Sequence, residues 1–372
     1  MKFIQTFILL LSTINGVAQI DLDMDIHSRV DENNKEVVSV LDVYKNYLNN
    51  RPDSIQVDNP FWCAADKNKF HDFDFTRGFI YDQFPMEYLS KTYRFVILSI
   101  EKEDDSYAIR TAIIAKDLTQ PYIRQQNPWA ITRHYAVRES NSWKLKNAFD
   151  FKTKNWKTIH ESNIIYHFPA DIHIDRNEIR KSKMFCDSVS AFLQTKSWQP
   201  FDYYITNSAD KLSELLGFDF ALTAHTTGMA FKDNILLNGT GSAFYPHEFV
   251  HHVAEDKKIK HKLISEGLAT WLGGSRLETF EQNLIKLSKA IKNNDTLTVD
   301  SVIDLKWGWT VGAYYTTGGL FCKLVYEKHG LTGLNKLFSI PANDDKKLRE
   351  ELMKLLNTKN LNEVWKKELS KH

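Results

Sequence analysis

The sequence predicts an α+β protein: an N-terminal helix and a curved antiparallel sheet, followed by a mainly helical half that carries a small mixed sheet. Three observations predict it. Val38, Leu41, Tyr44 and Tyr47 recur at helical spacing, two strand–turn–strand patterns follow between residues 94 and 146, and beyond about residue 163 the 3.6-residue period dominates. A length of 372 residues suggests two domains.

The chain opens with Lys2, a short apolar run, and small residues at Gly16 and Ala18, which together read as a secretory signal peptide cleaved after Ala18. That run is too short to span a bilayer, which takes about 20 residues. No cysteine follows it, so no lipid anchor is expected, and the mature protein is expected to be secreted or periplasmic. Residues 19–34 are polar and acidic and read as a linker.

Residues 35–160 form the expected accessory domain. A helix over 37–47 leads into strands at 94–101 and 107–114 about an acidic turn, then at 131–137 and 143–146 about Glu139 and Ser142. The boundary is expected within 156–162, with the second domain covering 161–372. There the patterns predict a strand at 163–169, a helix at 178–195, a strand at 201–205 and a helix at 208–216. Helices are expected again at 244–254, 262–274 and 312–330, and the chain closes on amphipathic stretches at 346–356 and 361–369, with Trp365 as a packing anchor.

Lys and Arg number 48 against 47 Asp and Glu, and this balance gives no reason to expect nucleic acid or an anionic membrane as a partner. No later stretch is apolar for long enough to insert stably in a membrane, and the oligomeric state is left open. Cys63, Cys186 and Cys322 are not spaced as a metal cluster. Export permits one disulfide, and Cys186 with Cys322, both in the second half, is the pair expected to form it.

The chemistry is concentrated in His247-Glu248-Phe249-Val250-His251. On a helix the two histidines, four apart, share a face and can bind one zinc ion, while Glu248 lies beside the metal's open position. A catalytic site needs a third protein ligand. Lys257 occupies the place where a metzincin would carry its third histidine, so that reading fails. Two candidates remain: His261, in a charge-dense stretch that reads as a solvated loop, and Glu266, in a helical pattern with Gly267 and Ala269. A carboxylate among small and apolar residues wants a partner, and a metal ion removes the cost of burying it ionised.

The H-E-x-x-H motif followed by Ser265-Glu266-Gly267-Leu268-Ala269 on a separate helix resembles the gluzincin metallopeptidases, in particular small peptidase MA-like domains. The resemblance covers about residues 163–372 and its sharp motifs occupy three short stretches. It implies one zinc per chain on His247, His251 and Glu266, with Glu248 as general base and a peptide or protein as substrate. Only 14 residues separate His251 from Glu266, fewer than in the larger relatives. Tyr315-Thr-Thr-Gly318 is similar to the family's Y-x-x-G, which implies Tyr315 as the stabiliser of the oxyanion, with Tyr314 as the adjacent competitor. Residues 227–238 resemble the edge strand that lines the family's cleft, with 234–237 the most strand-like part. They lack the glutamate with which aminopeptidase relatives grip a free amine, so an endopeptidase is expected.

The first half, one helix followed by a curved sheet and including Asn59-Pro-Phe-Trp62, resembles nuclear transport factor two-like (cystatin-like) domains. His71, Asp72 and Asp74 there read as structural or surface groups. Two other functions stand beside the peptidase. One is a binding or scaffold protein with a structural or relic zinc site; the other is a zinc hydrolase acting on cell-wall peptide. A structural site has no use for Glu248.

Overall fold

The computed structural model describes residues 22–50, 59–70, 73–222, 227–231, 233–294, 296–304 and 312–372. The expected signal peptide, residues 1–18, lies outside them, as do His71 and Asp72. The chain divides into two compact units, one running to Ala148 with Leu216–Ala224 added, the other holding Phe149–Leu215 and His225–His372. The division thus falls at 148/149 rather than 160/161, because residues 157–161 pair into the second unit's sheet.

In the first unit the chain runs through β1 (Met24–Ile26), α1 (Lys35–Leu48), α2 (Ala64–Lys69), α3 (Phe75–Gln83), α4 (Met86–Thr92), β2 (Tyr93–Glu103), β3 (Ser106–Ala115), α5 (Pro121–Gln125), β4 (Ala130–Glu139) and β5 (Ser142–Asn147). The Asn34 side chain caps α1 by accepting from the N–H groups of Glu36 and Val37, and the helix buries Val37, Val40, Leu41, Tyr44, Tyr47 and Leu48. The strands line up β1-β2-β3-β4-β5, antiparallel except for β1, which runs parallel to β2. Sequence reading placed β1 in a loose linker, since three residues show no period. A register shift between Ile97 and Ser99 marks a bulge, the kind of irregularity that bends a strand. Asp74 is buried: it accepts from the hydroxyl of Tyr47, lies 3.2 Å from His134 Nε2, and caps α3.

The second unit holds α6 (Phe149–Thr153), β6 (Lys157–Glu161), β7 (Ile164–Phe168), α7 (Arg176–Leu193), β8 (Phe201–Ile205) and α8 (Ala209–Leu215). Next comes β9 (Phe218–Ala221), which belongs to the first unit and pairs with β4, its Asp219 held by Arg133 and Arg110. The chain continues through β10 (Gly228–Phe231), β11 (Ile235–Asn238), α9 (Pro246–Val253), α10 (Lys262–Gly273), α11 (Phe280–Lys292), α12 (Val299–Ile303), α13 (Ala313–Phe338), α14 (Asp345–Leu356) and α15 (Leu361–Leu369). Its sheet has the order β10-β11-β8-β7-β6, parallel in the middle and antiparallel at both edges, so it is mixed as expected.

Three expectations need correction here. Within 227–238 the part expected to be most strand-like, 234–237, falls in the inner strand β11, and the edge itself is β10, equally long but with two small residues, Gly228 and Ala230. The helix expected to end at Gly330 resumes after a break there (φ 57°) and runs on to Phe338. Cys186 and Cys322 form no bridge: both are free thiols buried in the core, with Cys322 directed at the Ile264 carbonyl. No helix among the described residues is long and apolar enough to cross a membrane.

Candidate metal centre

The chain enters α9 through a polar brace. Asn238 Nδ2 donates to the Ser242 carbonyl and to the Tyr203 hydroxyl, both at 2.7 Å, and the Tyr203 hydroxyl donates to the same carbonyl at 3.0 Å. From α7, Ser182 donates to the Ala243 carbonyl and Glu178 accepts the Ala243 N–H, each at 2.7 Å. Pro246 then takes the first helical position, where its missing N–H costs nothing. Helical periodicity sends Phe249, Val250 and Val253 into the core and leaves His247, Glu248 and His251 together on another face. His252 points away from that face: its Nε2 donates to the Gln199 carbonyl at 2.8 Å and its ring packs on Phe201.

Across from α9, α10 presents Glu266. Its Oε2 lies 3.3 Å from His247 Nε2 and 3.5 Å from His251 Nε2. One ligand atom from each of the three residues falls within 4.8 Å of the others, so this group can hold a metal ion. The second nitrogens are also committed. His247 Nδ1 donates to the Gly274 carbonyl at 2.7 Å, so Nε2 is the nitrogen that faces Glu266, and His251 Nδ1 lies 3.4 Å from the Ser265 hydroxyl.

Charge supports the same conclusion. Burial alone would raise the Glu266 carboxyl, but hydrogen bonds and attraction from His247 and His251 overcome it and hold the group well below the usual carboxylate range. Burial likewise opposes charge on His251, and Glu266 outweighs it, so its pKa rises. A carboxylate kept ionised between two imidazoles is a donor set suited to a divalent cation. Glu248 is different. Burial raises its pKa against the pull of both histidines, with Glu266 adding repulsion, while the Ala230 N–H bonds its carboxylate.

These residues line a cleft of about 440 Å³ whose wall includes Gly228, Met229 and Ala230 of β10. Tyr315 lines it as well, its ring stacked on His247 with centroids 5.8 Å apart. Burial pushes the Tyr315 phenol up, helped by the charges of Glu266 and Glu248, while Arg276 pulls it down. Tyr314 instead lies in the core, its pKa pushed up to about 12 chiefly by burial. His261 sits at the N-cap of α10, buried, with Nε2 3.1 Å from Asp345 Oδ1, and is no member of the three-donor group.

Sequence reading missed four contributors: Tyr245, Ser265, the Gly274 carbonyl and Arg276. Ser265 had a signal, being adjacent to Glu266 and 14 residues from His251. Tyr245 is placed by close approach, since an added Cβ on Gly228 would collide with its ring; its hydroxyl is 2.9 Å from Thr227 Oγ1. The described residues thus define an α+β chain with a two-histidine, one-carboxylate group, facing a cleft, that can hold a metal ion. Compared with known proteins, the chain matches no family model and no curated protein.

Proposed function

We propose that the chain is an exported zinc metallopeptidase of the gluzincin kind that cuts within peptides. The observation that carries this reading is Glu248: a buried carboxylate outside the three-donor group that shares its cleft. Zinc, when bound, supplies a Lewis acid that polarises a carbonyl oxygen and makes water more acidic. His247, oriented through Gly274, and His251 and Glu266 hold it.

Glu248 takes the proton of the attacking water and returns it to the leaving amine, a role that its raised proton affinity favours. The Ala230 N–H keeps the carboxylate in place and ties it to the edge strand β10. An extended substrate adds to that edge as a further strand, the usual way a sheet edge takes a peptide. Tyr315 donates its phenol O–H to the developing oxyanion. Among the described residues lining the cleft, Glu248 and Glu266 are the only carboxylates, and both have roles, which supports an endopeptidase over an enzyme that grips a free amine.

The test is cleavage of a degenerate peptide pool and of cell-wall peptide fragments by the purified zinc-loaded chain, read by mass spectrometry, with Glu248→Gln in parallel. The expected result is cleavage of the peptide pool that falls by about 10²- to 10⁴-fold in the variant. Equal cleavage by Glu248→Gln, or none by the wild type on either substrate, would sink the reading.

A further inference from the structure

We propose that Arg276 is the substrate-selecting residue of this cleft and that it receives a carboxylate of the bound peptide at a fixed distance from the scissile bond. The inference rests on the metallopeptidase reading for the position of that bond. It starts from the backbone. Arg276 and Leu277 both lie in the left-handed region, at φ 54° and 63°, inside a tight turn closed by Ser275 N–H to Glu278 O at 2.9 Å and Glu278 N–H to Ser275 O at 3.0 Å. Two successive left-handed residues in such a turn normally call for Asn-Gly or Gly-Gly, because a Cβ there crowds the backbone. Arg-Leu is an expensive choice, and strain of this kind persists only where the surroundings enforce it.

The surroundings do enforce it, from both ends. On one side Gly274 gives its carbonyl to His247, and Gly273 lies so close to α9 that an added Cβ would stand 2.7 Å from the His247 nitrogen. On the other, the buried Asn283 of α11 donates through Nδ2 to the carbonyls of Ser275, Glu278 and Thr279, at 3.3, 3.4 and 2.9 Å. The turn is therefore clamped between a metal-ligating histidine and a core helix, and what it presents is Arg276 on the wall of the cleft.

Arg276 is the only Lys or Arg among the described residues lining that cleft, and its charge reaches the Tyr315 phenol. A guanidinium offers a planar fork of donors that matches a carboxylate bidentately. Arg276 stands on the wall of the cleft outside the three-donor group, so it meets a substrate group beside the reacting carbonyl rather than at the metal. Two sources share this chemistry: an Asp or Glu side chain within the peptide, or the peptide's own C-terminus.

The experiment measures peptide binding to zinc-loaded Glu248→Gln protein, which does not depend on turnover. Three degenerate peptide pools are compared: amidated without acidic residues, amidated with one glutamate, and non-acidic with a free C-terminal carboxylate. We expect one of the carboxylate pools to bind about tenfold tighter than the neutral pool, and which one does identifies the source. The preference should vanish when Arg276→Gln is added and be retained in part by Arg276→Lys. Arg276→Gly relaxes the turn, so it should melt no lower than its parent and still lose the preference, which separates selection from folding. Equal binding of the three pools, including no binding at all, overturns the proposal, as does a preference that survives Arg276→Gln. Pools that separate through Arg276 in a protein that cleaves nothing would keep Arg276 as the carboxylate-selecting residue while removing the peptidase reading and, with it, the scissile bond; cleavage with no carboxylate preference would keep the peptidase reading and remove the role of Arg276.

Discussion

Gly267 and Gly318 meet backbone to backbone where α10 packs on α13. A Cβ on Gly267 would stand 2.6 Å from Gly318 Cα, and one on Gly318 3.0 Å from Gly267 Cα. Glu266 precedes this contact directly, so the closeness of the two helices sets where its carboxylate stands. Gly267→Ala is expected to cost about 1 to 3 kcal/mol by overpacking. It should also weaken metal binding, because α10 must move away from α13. Denaturant midpoints and competition with a chelator check both effects; a variant with unchanged metal affinity would show that the helix contact does not position Glu266.

The purified chain should bind one zinc. His251→Ala and Glu266→Ala each remove one of three donors and should lose the metal on dialysis against a moderate chelator. His261→Ala should keep it, since His261 pairs with Asp345 instead. Metal content by mass spectrometry decides, and a chain that loses zinc with His261 but not with Glu266 would reassign the third ligand.

Tyr315 and Tyr314 are adjacent in sequence and differ in surroundings, one lining the cleft and one in the core. Tyr315→Phe should lower kcat roughly 100-fold with little change in KM, the signature of a donor that acts on developing charge. Tyr314→Phe should change activity little. Steady-state kinetics on any cleaved peptide separates the two.

Asp74 makes the first unit sensitive to acid. Burial disfavours its charge, but His134, Arg77 and the Tyr47 hydroxyl overcome that and hold the carboxyl well below its ordinary value. A depressed folded-state pKa stabilises the fold fully above the unfolded value of about 3.9, and this stabilisation is lost as pH falls through the folded value. Asp74→Asn should therefore cost about 3 kcal/mol or more at pH 7, the scale of breaking a buried pair. Its deficit against the wild type should shrink as pH drops below about 4. Fluorescence of the buried Trp62, whose ring packs 5.7 Å from that of His134, follows unfolding of this unit. A deficit independent of pH would assign the loss to packing instead.

Much of the fold was legible because it is local. The α7, α9, α10, α14 and α15 helices and the two hairpins of the first sheet show their periods within a dozen residues. The misses were short or two-sided except for α11, a thirteen-residue helix with one buried face that the reading passed over. Strand β1 has only three residues, and β6, at the edge of its sheet, is polar with no buried position, so neither shows an apolar alternation; α2 to α4 lie between the first predicted helix and the first predicted strand, where no element was expected. Strand β11, buried at all four positions, looked more strand-like than β10, although β10 is the one at the edge beside the cleft.

The candidate site divides along the same line. Sequence by itself determined that His247, Glu248 and His251 would share one region, since a helix brings residues three and four apart together whatever surrounds it. It also singled out Glu266 and Tyr315 as groups to be explained. Tertiary structure alone decided that Glu266 meets both imidazoles while His261 does not, that Tyr315 rather than Tyr314 lines the cleft, and that the Gly274 carbonyl and Arg276 join them. Those placements depend on close approach between segments far apart in the chain: glycine against glycine at α10 and α13, Gly273 against α9, Asn283 over its turn. Such contacts follow from how closely whole helices pack, a property of the folded volume that no local period in the sequence encodes.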